Sequence, residues 1–266
     1  LVPILTGLDV SNTLLFAGLG TLLFHLITGG KVPAFLGSSF AFLGGYATIA
    51  PMLGEQQNIP NLEMLPYACF GVACAGLVYV ILAGLFKVFG AKKVMRFFPP
   101  IVTGPIIIAI GLNLSSSAIN NCTGSWWIAI AAILIIVAAN IWGKGMIKII
   151  PILLGVIGSY LLAVIFDADV RANLVANVSE AKWFALPIKM EQTVFGLFAS
   201  GNVDAHKLLT AVITIVPLSL ATMVEHIGDV SAISSTCNRN YIENPGLHRT
   251  LLGDGLATTL AALFGA

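Results

Sequence analysis

Charge is what this sequence has least of. Lys, Arg, Asp and Glu make up 9% of its 266 residues, against about 25% in soluble domains. Such a chain cannot cover a water-facing surface, so a soluble globular fold is excluded. The net charge of +1 gives no reason to expect a nucleic-acid partner. Cysteine is sparse as well: Cys69, Cys74, Cys122 and Cys237 are scattered without metal-ligand spacing. Packing among apolar segments is their expected role, and neither a metal nor a cofactor is expected. There is no HExxH pattern and no signal-peptide pattern. The chain opens at Leu1 rather than Met and stops at Ala266 inside an apolar run. It is therefore expected to be a piece of a longer protein.

Apolar residues fill the space that charge leaves, at 58% of the chain with a mean hydropathy of +0.96. Their runs are too long for transmembrane β-strands, which alternate over about ten residues. The expected fold class is an all-α polytopic membrane protein. Apolar windows fall at 13–29, 32–53, 64–90, 98–120, 125–142, 146–166, 206–235 and 250–266. All but the truncated last are near the roughly 20 residues that a helix needs to cross the hydrocarbon core. The second is interrupted by Pro33, Gly37, Ser38, Ser39, Gly44 and Gly45, as expected of a broken helix lining a cavity.

Alternating the loops places Lys31, Lys87, Lys92, Lys93, Arg96, Lys144, Lys148, Arg239 and Arg249 on one side, nine of the thirteen basic residues. That side is expected to be cytoplasmic. Glu55, Glu63 and the connection 167–205 fall on the other. The connection reads as an ordered external linker, with Trp183 and Phe184 near headgroup level.

Window 206–235 carries Glu225, His226 and Asp229, where a lipid-spanning helix should carry no charge. Glu225 and Asp229 are four apart and share one helix face. An acid at this depth costs roughly 2.5–3.5 kcal/mol on insertion scales, so it should face a cavity or a partner. Pro217 weakens the helix just upstream. A broken span with acids past the break is expected of a transporter binding site. His226 points about 100° away from Glu225 and reads as an interhelical hydrogen-bonder. Asp254, between Gly253 and Gly255, reads as a structural residue. An enzyme built on Glu225, His226 and Asp229 lacks an accompanying nucleophile or metal-ligand set.

Thr13–Gly29 and Thr250–Ala266 match without a gap at eight of seventeen positions, five of them leucine. Lys31 follows the first copy and Arg249 precedes the second, so the copies are expected to cross the membrane in opposite senses. That is the pattern of an inverted-topology repeat.

VPAFLGSSFAFLGG (32–45), MVEHIGDV (223–230), NPGLHRTLLGDGLATTLAALFG (244–265) and KWFALP (182–187) resemble the nucleobase–cation symporter-2 family of uracil and xanthine permeases. The resemblance covers the whole chain. It implies a 14-span core-and-gate transporter of two inverted seven-span repeats, with short strands in broken spans. Residues 1–90 would be core spans one to four, 91–166 gate spans five to seven, 167–205 the external linker and 206–266 core spans eight and nine. The first strand would fall on Ser38–Phe42, with Ser39, Phe40 and Ala41 against the base. Glu225 would bind substrate and, with Asp229, carry the proton. The best-known bacterial member has a histidine where Asp229 stands, which leaves the proton path and the choice of uracil or xanthine open. The implied activity is proton-coupled nucleobase uptake by a homodimer in the inner (plasma) membrane. The alternative is an anion or sulfate transporter of the same architecture, against which Glu225 argues.

Overall fold

A computed structural model describes residues 2–54, 59–90, 93, 96, 100–180, 188–201 and 203–266. The expectations for Glu55, Lys92, Trp183 and Phe184 lie outside the described residues. The elements are helical: α1 (Val2–Thr6), α2 (Val10–Thr28), α3 (Leu43–Ile49), α4 (Leu65–Phe89), α5 (Pro100–Cys122), α6 (Trp126–Trp142), α7 (Met146–Ile149), α8 (Pro151–Phe166), α9 (Ala168–Glu180), α10 (Val194–Ala199), α11 (Ala205–Ile215), α12 (Leu218–Thr236) and α13 (Leu247–Leu263). These follow the apolar windows closely. Among the described residues α2, α4 and the α11–α12 pair are long and apolar enough to cross a membrane. The bent α8–α9 pair makes a fourth if taken as one span.

Local sequence explains most of the boundaries. Asp9 caps α2 by accepting from the Asn12 amide at 3.0 Å. Gly29 ends the same helix in the left-handed region, at φ 68°, where glycine carries no steric penalty. Pro66 stands in the first turn of α4, where its missing N–H is no loss. Asp204 caps α11 through the amides of His206 and Lys207. Pro217 separates α11 from α12, as its missing donor and ring clash require.

Window 32–53 is broken, but not as a strand. Residues 33–39 carry no regular structure, Phe40–Phe42 form one 3₁₀ turn, and α3 follows. The strand expected at Ser38–Phe42 is corrected to this turn. A strand needs a partner ladder, and no described segment pairs with these residues. The Ser39 side chain instead accepts from the Ala41 amide at 3.3 Å and caps the turn.

The chain divides into two compact units, Leu1–Ile110 with Leu186–Ala266, and Gly111–Ala185. In the second, α6 and α8 run antiparallel: Trp127 meets Phe166 edge-on at 5.5 Å, and Gly158 lies against Ile135. Helix α9 turns 106° away from α8.

The first unit is built on α13, held between α2 and α4. A Cβ on Gly255 would come within 2.5 Å of Tyr79 Cβ and 2.7 Å of the Gly76 carbonyl, both on α4. One on Gly253 would stand 2.9 Å from Phe24 on α2. Small residues allow the helices to approach this closely without a hydrophobic force between them.

Helices α2 and α13 are antiparallel. Asn12 Nδ2 donates to the carbonyls of Phe264 (2.7 Å) and Gly265 (3.1 Å). At the other end Lys31 Nζ donates to Asn244 Oδ1 at 2.7 Å. Between them, a Cβ on Gly20 would lie 3.1 Å from Ala257 Cβ. The ungapped match of the two sequence copies pairs Gly20 with Ala257. The two segments therefore approach each other at positions that the sequence match makes equivalent.

Ion pairs between loops also sort by end. Asp9 pairs with Lys189 at 2.6 Å and Glu63 with Lys207 at 2.7 Å, at the end of α2 opposite to Lys31 and Asn244. This is the grouping that alternation of the loops requires. Leu22, Leu26, Ile81 and Val88 point outward, an arrangement suited to hydrocarbon.

Candidate functional site

The site forms where the broken window passes α12. Thr21 on α2 fixes the entering segment. Its hydroxyl accepts from the Leu36 amide at 3.0 Å, and its proton faces the carbonyls of Ala17 at 2.7 Å and Leu36 at 3.3 Å. Three residues on, Ser39 Oγ donates to Glu225 Oε2 at 3.0 Å. The amides of Gly37, Ser38 and Ser39 donate to no protein group among the described residues.

Beside this contact lies a half-open cavity of about 290 Å³, at the small end of small-molecule sites. Gly37, Ser38 and Ser39 line one wall; Glu225, His226 and Asp229 of α12 and Asp254 of α13 line another. Phe16, Phe42, Tyr46 and Tyr79 supply aromatic surface, suited to a flat ring. Glu225 is half-buried and Asp229 exposed. His226 is buried, with Nδ1 2.9 Å from Asp254 Oδ2. Tyr46 is backed by Cys69, whose sulfur lies 3.6 Å from its hydroxyl. The wall offers three carboxylates and, among the described residues, no lysine or arginine. It can accept hydrogen bonds through the acids, donate them through backbone amides and hold a planar body between.

Ser39, Glu225, His226, Asp229 and Asp254 are thus brought together around one cavity. Phe40 and Ala41 are not on its wall. In a turn of three residues successive side chains are about 120° apart, so Phe42 faces the cavity and Phe40 is turned aside. Ala41 contributes its amide to the Ser39 cap. Sequence reasoning missed Phe42, Tyr46, Tyr79 and Thr21. Tyrosines within apolar windows are a usable signal, because a buried hydroxyl needs a partner; Thr21 leaves no such trace.

Apolar spans, one of them interrupted at a proline, around a carboxylate-lined cavity are those of a membrane protein with a polar site between its helices. The entire chain, residues 1–266, matches the Permease family, and it belongs to that family of transporters, which are not enzymes. It is 38% identical to the "Probable uracil permease" of Haemophilus influenzae. It is 37% identical to the uracil permease of Bacillus caldolyticus and 34% identical to that of Bacillus subtilis. Each alignment covers 100% of this chain and 59–60% of the relative. The chain thus spans about three-fifths of the length of these curated relatives.

Proposed function

We propose that the full-length protein takes up a nucleobase, uracil in the first instance, together with a proton across the cytoplasmic membrane by alternating access. The observation that carries this reading is the Ser39–Glu225 hydrogen bond on the cavity wall. It joins the broken window to the acid-bearing helix beside backbone amides that, among the described residues, donate to no protein group. Glu225 accepts from ring N–H groups, and the amides of residues 37–39 donate to ring carbonyls. Glu225 and Asp229, two acids one turn apart on α12, carry the proton between them. Xanthine is the second candidate base.

The antiparallel crossing of α2 and α13 at equivalent positions supports an inverted repeat, extended in this reading to 14 spans and a homodimer. In this reading residues 1–90 and 206–266 supply core spans and residues 91–166 gate spans, and core and gate move against each other during transport. A transported anion is disfavoured by a wall that carries three carboxylates and, among the described residues, no lysine or arginine.

The test is uptake of labelled uracil and xanthine by the full-length protein, with and without a proton gradient, alongside Glu225→Gln. Gradient-driven uptake that the variant loses supports the reading. An inserted, folded protein that transports neither base rejects it.

A further inference from the structure

The cavity at Glu225 does not end the open space along α12. A second hollow of about 210 Å³ adjoins it, and Phe35, Leu36, His226 and Asp229 border both. On α12 the first cavity runs from Thr222 to Asp229 and the second from His226 to Ile233. On α2 the first reaches Gly20 and the second lies at Phe24. Each step leads toward the end where Lys31 bonds Asn244. The two spaces therefore stand in series, the second nearer the side that the transport reading makes cytoplasmic.

Phe35 stands on the dividing wall. It is 70% exposed and, among the described residues, meets no other ring. Its Cε1 lies 3.8 Å from where a Cβ on Gly37 would stand, so the ring folds back toward the amides of the first cavity. The backbone on either side is held. The Ala34 amide donates to the Val32 carbonyl at 2.9 Å, and Thr21 engages both backbone groups of Leu36. A bare ring on a fixed backbone offers its face to a flat body. Asp229, also exposed, supplies an acceptor on the same wall. Apart from it and His226 the lining of the second hollow is apolar. Its volume is below that of typical drug-sized sites, which suits a body as small as a single base.

We infer that the second hollow is a release subsite for the transported base, where Phe35 stacks on the planar ring and Asp229 accepts one of its N–H groups. The inference rests on the nucleobase reading and adds a second stopping place to it. A base passing from Glu225 to Asp229 advances one helical turn and keeps an acid partner at each stop. Ala232 borders the second hollow and not the first. It is exposed, so a larger side chain there fills the subsite without entering the core.

The experiment measures the KM for labelled uracil from each side of the membrane, in cells and in inside-out vesicles carrying the full-length protein. Melting temperature in detergent checks the fold. Ala232→Phe is expected to raise the cytoplasmic KM about two- to tenfold, the scale of one lost aromatic contact, and to leave the outer KM close to wild type. Phe35→Ala raises KM from both sides, because the ring borders both cavities. Phe35→Tyr keeps the ring and stays close to wild type.

A folded Ala232→Phe protein with an unchanged cytoplasmic KM, or with both KM values raised alike, overturns the inference. Should that variant not fold, Phe35→Ala decides, since removing an exposed ring leaves no void in the core. An unchanged cytoplasmic KM in Phe35→Ala then overturns the inference. A wild type that transports no nucleobase from either side rejects the nucleobase reading and this inference with it. Transport by the wild type with any of the overturning results rejects this inference alone.

Discussion

Ser39 and Glu225 stand 186 positions apart in the chain and meet at 3.0 Å. The serine hydroxyl is the only kind of group on its segment that can both cap a turn and donate to an acid. It accepts from Ala41 and donates to Glu225. The local shape of the broken window and the aim of the carboxylate thus depend on one oxygen atom.

Removing that oxygen should affect transport more than stability. Ser39→Ala is expected to raise the KM for uptake about two- to tenfold, one hydrogen bond to the acid being lost. Ser39→Thr, which keeps the hydroxyl, should stay close to wild type. Uptake kinetics on protein checked for insertion decide the matter. Equal KM values for all three would remove Ser39 from the site.

Thr21 makes a separate prediction. Thr21→Val preserves shape but deletes the hydroxyl that holds both backbone groups of Leu36. Hydrogen exchange at residues 35–39 should accelerate, with a cost of about 1–3 kcal/mol for the unpaired Leu36 amide. Unchanged exchange there would show that the segment is held by other contacts.

The close approach of α13 can be tested at its glycines. Gly255→Ala forces a Cβ to within 2.5 Å of Tyr79 Cβ, so two backbones must part. The expected loss is about 1–3 kcal/mol, typical of overpacking, read as a lower melting temperature in detergent. Gly18→Ala, in the same unit with nothing within 4 Å of the new Cβ, should instead be neutral or gain up to about 1 kcal/mol from helix propensity.

Asp9 gives the pH dependence. Burial acts to raise its carboxyl, but the hydrogen bond from Lys189, the Asn12 amide and the Lys189 charge outweigh it and hold the group below its usual value. A depressed carboxyl stabilises the fold above its unfolded pKa of about 3.9. That contribution disappears as pH falls through the lower folded value. Because Lys189 is 61% exposed, the ion pair is worth only about 0.2–1 kcal/mol. Asp9→Asn, which keeps a cap, should therefore cost less than Asp9→Ala, which loses about 1 kcal/mol more. As pH falls from about 6 through the lowered folded value, the melting curve of the wild type should converge on that of Asp9→Asn, while Asp9→Ala stays below both because the loss of its cap does not depend on charge. A wild type that keeps its full advantage in acid would contradict the assignment.

Several features were legible in the residues alone. Low charge and long apolar runs placed the chain in a membrane, and their spacing located the spans, because helix length and hydrocarbon thickness are both fixed quantities. Pro217 marked the break before α12 for a reason internal to its own ring. The two matched copies, with basic residues at opposite ends, foretold the antiparallel α2–α13 pair. Glu225, His226, Asp229 and Asp254 stood out because an ionisable group in an apolar run needs a partner or a cavity.

Tertiary structure decided the rest. The window at 38–42 became a turn instead of a strand, since an extended segment is a strand only if another pairs with it. Phe42 faces the cavity and Phe40 does not, because the turn rotates each side chain by a third of a circle. Asp254 meets His226 only because glycines on both flanks bring three helices together. Sequence periodicity fixes what a residue shares with neighbours a turn away. Which side chains meet across 186 positions depends on how helices pack, and that is settled by shape and by the need to pair every buried polar group.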